Sequence, residues 1–291
     1  MIVDVPTEKC IENVEEQLKT WFPDYQKYKA KSDEEIKQML EEDDALKPVE
    51  RNGKKVYVLT AGHDYNESAY VLKGDGRVPV EGTDFNDLHE MYRDFGYGDA
   101  IAIDEPTHSY MAQITEGVRM LAICCDSKGQ PKGAMDERHI AWAKEQIDKA
   151  KEDNCSVFAI CHYPIIPPVP VFDLVGDAKI KDWRRVATFL ADNGVELVLT
   201  GHMHIQSINE FYSEKGNRLI DICTACLVGS PAKYRKITID ENSILKVKSQ
   251  NIPDFGWDLN GLTPQEYFDN HFSTAIVARV RGALNGGNGI V

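Results

Sequence analysis

Three short segments carry residue types suited to acid–base or metal chemistry. Thr200-Gly201-His202-Met203-His204 begins where the apolar run Glu196–Thr200 stops. In extended backbone, residues two apart point to one face, so His202 and His204 can aim at one metal ion. Gly201 lets the backbone turn sharply or approach a ligand closely. The plain alternative is two ordinary loop histidines. Cys161-His162-Tyr163-Pro164 follows the run Ser156–Cys161. Alone, one histidine there reads as a structural residue; the strand-end position it shares with the H-x-H segment turns the reading toward a ligand. Ala61-Gly62-His63-Asp64 follows Lys55–Thr60. A histidine beside an aspartate can be an oriented general acid or base. The alternative is a turn in which Asp64 caps local backbone.

The elements that must position these segments follow from periodicity. Residues 6–47 read as helical, with Cys10, Ile11, Val14, Leu18 and Trp21 near a 3.6 period and a capping box at Ser32 and Glu35. Lys55–Thr60 reads as a buried strand. Residues 65–107 read as loop-rich, with a short helix near Asp84–Phe95. Ser109–Ile114 and Val118–Cys125 read as strands joined by a turn at Thr115-Glu116-Gly117. Met135–Asp153 is amphipathic, with Ile140, Ala143, Ile147 and Ala150 on one face. Ser156–Cys161 is a strand, Pro164–Pro170 an irregular loop, Asp177–Asn193 a helix capped by Gly194, and Glu196–Thr200 a strand. Residues 206–249 alternate like an antiparallel meander. Thr263-Pro264-Gln265-Glu266 is a capping box opening a helix to about residue 282, before a flexible glycine-rich tail. Each chemical segment thus starts at a strand end, where α/β sheets build their sites. The order of elements argues for an α/β sandwich.

Bulk composition excludes several classes. The chain has 291 residues, 42% hydrophobic and 27% charged, as a soluble globular protein has. No apolar run is long enough for a membrane span. Net charge is −14, and residues 1–50 carry half of it, with 14 acidic and 7 basic side chains. Without Lys/Arg clusters, nucleic acid is excluded as a partner. Seven cysteines, five of them in apolar strand-like runs, suit buried free thiols and a cytoplasmic location. Cys223-Thr-Ala-Cys226 sits in the apolar stretch Leu219–Val228 and reads as core packing, with redox or zinc chemistry the alternative.

In order, Gly62-His63-Asp64, His162-Tyr163-Pro164 and Gly201-His202-Met203-His204 resemble the last three motifs of the calcineurin-like metallophosphoesterase family: G-N-H-D/E, a histidine in H-H-P context, and G-H-x-H. Leu121–Ser127, ending in Asp126-Ser127, is similar to that family's central strand. The resemblance covers roughly residues 50–250. It implies a sandwich of two mixed β-sheets flanked by helices in four layers. It implies His162, His202 and His204 as ligands of a divalent metal: one or two ions of zinc, manganese or iron. It makes His63 the acid that protonates the leaving alcohol, with Asp64 orienting it, and a metal-activated hydroxide the nucleophile toward a phosphate ester. Asn66 and Tyr163 are candidates for substrate binding, and Tyr65, Tyr70 and Tyr97 for substrate packing, with segments 6–47 and 65–107 as a lid over the site; plain anchoring is the alternative for these tyrosines. The domain expected is 1–250, with 6–50 as a helical insertion or lid, and 251–291 as helix and tail.

Two departures matter. The family's asparagine ligand corresponds to Gly62, and no D-x-H or complete G-D-x-x-D precedes residue 60. The expectation is an N-terminally shortened version, with N-terminal strands missing and an exposed sheet edge open to self-association. Two dications about 3.5 Å apart repel by roughly 19 kcal/mol at an effective dielectric of about 20. Three neutral imidazoles do not offset that, so at most one tightly bound metal and weak or absent phosphatase activity are expected. The competing reading is a non-catalytic, degenerate phosphoesterase fold that binds a partner or ligand.

Overall fold

The structure is a computed structural model. It describes residues 55, 57–59, 70–73, 76–79, 87–126, 133–174, 176–227, 229–239, 244–253, 259–271 and 273–274. The chain divides between Lys54 and Lys55, and all these residues belong to the second unit. The expected helices of residues 6–47 lie outside them.

The fold class is α/β. Its centre is a seven-stranded mixed sheet, built from β3 (Ala100–Asp104), β4 (Ser109–Thr115), β5 (Val118–Ile123), β6 (Ser156–Cys161), β7 (Leu197–Thr200), β8 (Ser207–Tyr212) and β9 (Arg218–Cys223). Strand order is β3-β4-β5-β6-β7-β9-β8. β5, β6, β7 and β9 run parallel; β3, β4 and β8 are antiparallel to their neighbours. Two separate hairpins complete the strands: β1 (Tyr70–Lys73) with β2 (Gly76–Pro79), and β10 (Lys233–Ile239) with β11 (Leu245–Asn251).

Alternation along the strands sorts side chains between two cores. In β6, Val157, Ala159 and Cys161 face one cluster, and Phe158 and Ile160 the other. The first cluster takes in the crossover helices α2 (Glu137–Glu152) and α3 (Trp183–Asp192). The second is built from Tyr97, Tyr110, Ala112, Met120 and Ala122. Parallel strands need such crossovers, and both helices here cover one face. Asp136 caps α2 by accepting from the His139 amide at 2.7 Å. Gly194, at φ 79°, ends α3 in the left-handed conformation that its lack of Cβ permits.

Several expectations shift. Residues 57–59 form no strand: the Val58 amide donates to Phe95 O and Val58 O accepts from the Tyr110 side-chain hydroxyl, so among the described residues no strand backbone pairs with it. The loop-rich stretch contains the β1–β2 hairpin and β3. The short helix α1 covers only Asp87–Met91, followed by 3-10 turns. α3 begins at Trp183, not Asp177, because backbone amides ahead of it bond elsewhere: Ile180 to Pro164 O and Lys181 to Gly133 O. The expected meander splits, since β8–β9 joins the main sheet and β10–β11 stands apart. Tyr97 is a core residue, its hydroxyl donating to His108 O at 3.2 Å. The capping box is present: the Thr263 amide donates to Glu266 at 2.8 Å and Glu266 N–H to Thr263 Oγ1 at 3.3 Å. Its helix is described to residue 274.

Candidate functional site

The carboxyl ends of β5, β6, β7 and β9 lie side by side, and three of them carry the side chains of interest. β5 leads to Asp126, β6 to His162 and Tyr163, and β7 to the segment Gly201–His204. Because β8 lies beyond β9, residues 201–206 must cross the carboxyl end of β9 to reach it. The H-x-H segment therefore lies over the end of the sheet.

His162 Nε2 and His202 Nδ1 stand 2.9 Å apart, with ring centroids at 4.8 Å. One nitrogen donates and the other accepts, so a single proton sits between two rings. The two loops are also joined through backbone, the Gly201 amide donating to His162 O at 3.1 Å. Tyr163 is buried beneath, its ring centroid 4.3 Å from that of His202. Its hydroxyl donates to Asp126 Oδ1 at 3.1 Å, and the Gly133 amide donates to the same oxygen at 3.4 Å. A Cβ on Gly133 would sit 3.4 Å from the Tyr163 ring, and its φ of 66° favours glycine as well.

The turn at the histidines is not extended. His202 has φ 61° and His204 φ 54°, both left-handed. The Met203 amide donates back to Gly201 O at 2.6 Å, a γ-turn centred on His202. Such conformations cost about 1–3 kcal/mol at a non-glycine residue and gather at functional sites. The same-face argument for His202 and His204, which assumed a strand, does not describe this turn. His204 is exposed. Gly201 is not sterically required, since a Cβ there would meet only His162 O, at 3.9 Å. His63, Asp64 and Asn66 lie outside the described residues.

Beneath the turn is a residue that the motifs did not single out. Asp221, on β9, is fully buried. Its Oδ1 accepts from the Thr200 hydroxyl at 2.6 Å, and its Oδ2 from the amides of Ile165 and Ile166 at 2.7 and 2.8 Å. Burial pushes its carboxyl up to about 6, against the lowering effect of those three donors. Its signal in sequence was an aspartate inside an apolar run; that of Asp126 was its place at the end of β5. Cys223 and Cys226 are free thiols bonded to Gly201 O and Gly229 O, as core packing requires.

Could these side chains hold a metal? Two nitrogens about 2.1 Å from one ion stand about 3.0 Å apart at a right angle and about 3.4 Å apart in a tetrahedron. The 2.9 Å between His162 and His202, a hydrogen-bond length, lies just below that span. These two imidazoles would take adjacent positions on one ion only after the shared proton leaves and the rings turn slightly apart. Among the described residues, no group of three or more His, Cys, Asp or Glu side chains is arranged to hold a metal. The described residues do not build a two-metal centre. A cavity of about 280 Å³ lies elsewhere, lined by Ile101, Met111, Arg119, Gln146 and Lys149 among others. It belongs to the opposite, amino end of β5.

No protein-family model and no curated protein matches the chain. Among solved structures, it is similar to a dimetal phosphatase from Danio rerio, at 10% identity and TM-score 0.42, over 56% of this chain and 65% of that one. It is also similar to a provisionally assigned 5'-nucleotidase from Staphylococcus aureus in complex with alpha-ketoglutarate, at 12% identity and TM-score 0.27, over 59% of this chain and 33% of that one. The chain thus spans less than two thirds of either protein. Among the described residues, no helix is long and apolar enough to cross a membrane.

Proposed function

We propose that the chain is a metal-dependent phosphoesterase whose working centre is the His162–His202 pair. The observation that carries this reading is the 2.9 Å approach of two imidazoles from adjacent parallel strands, at the end of the sheet. His162 Nε2 and His202 Nδ1 would hold one divalent ion, imidazole suiting zinc, nickel or copper better than magnesium. His204, on the same turn, is the third ligand in this reading. A bound dication supplies Lewis acidity toward a phosphoryl oxygen. The chain's own residues do the rest. Tyr163 and Asp126 hold the His202 ring from below, which favours a supporting role for Tyr163 over direct substrate contact. His63 is the proposed proton donor to the leaving alcohol, Asp64 its orienting partner, and Asn66 a substrate contact. With one ion and no bridging carboxylate among the described residues, turnover is expected to be slow.

The test is hydrolysis of an aryl phosphate ester by the purified chain with added zinc or manganese, compared with His63→Ala and His162→Ala. Metal-dependent hydrolysis lost by at least tenfold in both variants supports the reading. Binding of the ester without hydrolysis favours the second reading, a non-catalytic module. That alternative draws on the geometry of the described residues, in which His204 is not grouped with His162 and His202 around one point.

A further inference from the structure

We propose that Asp221 is the positioning residue that sets the distance between His162 and His202. The inference rests on the reading of that pair as the working centre. Asp221 touches neither imidazole. It touches what carries them.

Ile165 and Ile166 follow His162 by three and four residues, beyond a proline at 164. Their amides converge on one oxygen, Asp221 Oδ2, at 2.7 and 2.8 Å. A proline-rich loop has few amides to offer a sheet, so these two bonds, with the Ile180 amide on Pro164 O and the Gly201 amide on His162 O, hold it in place. Thr200 precedes His202 by two residues, and its hydroxyl donates to Asp221 Oδ1 at 2.6 Å. One carboxylate therefore holds the loop after β6 and the end of β7 at once, from β9. The strand order places β9 directly beside β7, with β6 on the other side of β7. The loop after β6 must therefore reach across the end of β7 to meet Asp221.

The chemistry agrees. A fully buried carboxylate is costly unless its oxygens are satisfied, and among the described residues no cation contributes to its acidity. The groups around it are the Thr200 hydroxyl, two amides and the nearby Cys223 thiol. Burial keeps its acidity well below that of a surface aspartate. A core position this expensive, with an apolar residue on either side, is explained if geometry at the strand ends needs it. Removing the carboxylate would leave two amides and a hydroxyl buried without acceptors, and the loop would move to satisfy them.

Asparagine can replace the bonds without the charge. Its oxygen accepts from the two amides, and its NH2 donates to the Thr200 hydroxyl, which turns to accept. Asp221→Asn should therefore keep the geometry, and Asp221→Val should lose it.

The direct readout is nitrogen–nitrogen scalar coupling across the His162–His202 hydrogen bond, measured by NMR on the full chain, 15N-labelled and chelator-treated, at a pH where both rings are neutral. The wild type and Asp221→Asn should show it. Asp221→Val should lose it, while Leu190→Ala, which loosens the core on α3, keeps it. If Asp221→Val does not fold, Thr200→Val decides, with the coupling expected to fall at least twofold. Coupling unchanged in the folded valine variants, lost in Asp221→Asn, or absent from the wild type overturns the proposal. The coupling is read without metal or substrate, so it fails or holds separately from phosphate-ester hydrolysis.

Discussion

His162 Nε2 and His202 Nδ1 share one proton across 2.9 Å, although 40 residues separate them in the chain. Two parallel strands, the Gly201–His162 backbone bond and the Asp221 carboxylate bring them there. A phenol from Tyr163 closes the site from below. The arrangement puts a polar pair at the end of a sheet whose interior is almost wholly apolar.

The left-handed turn can be tested without touching that pair. His204 is exposed with φ 54°, a conformation glycine adopts without steric cost. His204→Gly is expected to hold or raise stability by up to about 1 kcal/mol, and His204→Val to lower it by about 1–2 kcal/mol. Urea unfolding midpoints check both. If metal affinity also falls tenfold in His204→Gly, the third-ligand assignment gains direct support.

Two buried groups set opposing pH dependences. Burial holds His139 down to about 4, with Asp104 and Arg138 adding smaller, opposite effects. Its unfolded form titrates near 6.5, so the unfolded chain takes up the proton first. The stability it contributes is present above about 6.5 and is lost as pH falls toward 4. Asp221 runs the other way. Its carboxyl, pushed up to about 6, favours the folded state below the unfolded value of about 4, and that contribution is lost as pH rises through 6. Each is of order 3 kcal/mol, so they largely cancel between pH 4 and 6. Asp221→Asn should therefore give a melting temperature that climbs steeply over that range. His139→Leu should give one that falls. A flat profile in both variants contradicts the assignment.

Much of this was legible in the sequence, for a physical reason. Elements that bury one face in a large core announce themselves by period, so β6 and the helix α2 matched their expected spans closely. Elements held by specific long-range bonds do not. The residues before Trp183 have a helical pattern, yet their amides serve Pro164 and Gly133. β3 escaped notice because it pairs at the sheet's edge and its pattern is short and partly exposed. At the candidate site, residue types and strand-end placement singled out His162 and His202, which the fold brings within 2.9 Å of each other. They did not foretell that the H-x-H would turn left-handed, because φ at His202 depends on the Cys223 and Met203 contacts to Gly201 O. Nor did they single out Asp221, whose partners lie 21 to 56 residues away.

An ion pair between a buried carboxylate and a largely exposed guanidinium ties the edge strand β3 to α2. Asp104 is buried and bonded in bidentate fashion to Arg138, at 2.7 and 2.8 Å. Burial alone would make it a weaker acid, but Arg138 and Thr107 outweigh burial and hold the carboxyl below its usual range. Arg138→Met leaves that charge unpaired, and a loss of about 2–4 kcal/mol is expected. The loss should shrink as pH drops toward the normal carboxylate range, where protonation relieves the unpaired charge. Chemical denaturation at neutral and acid pH measures both.

The most direct test of the central claim is metal content per chain after loading with zinc, for the wild type and His202→Ala, by elemental analysis. One ion per wild-type chain, lost in the variant, is the predicted result. No bound ion in the wild type, or the same content in both proteins, would contradict the account.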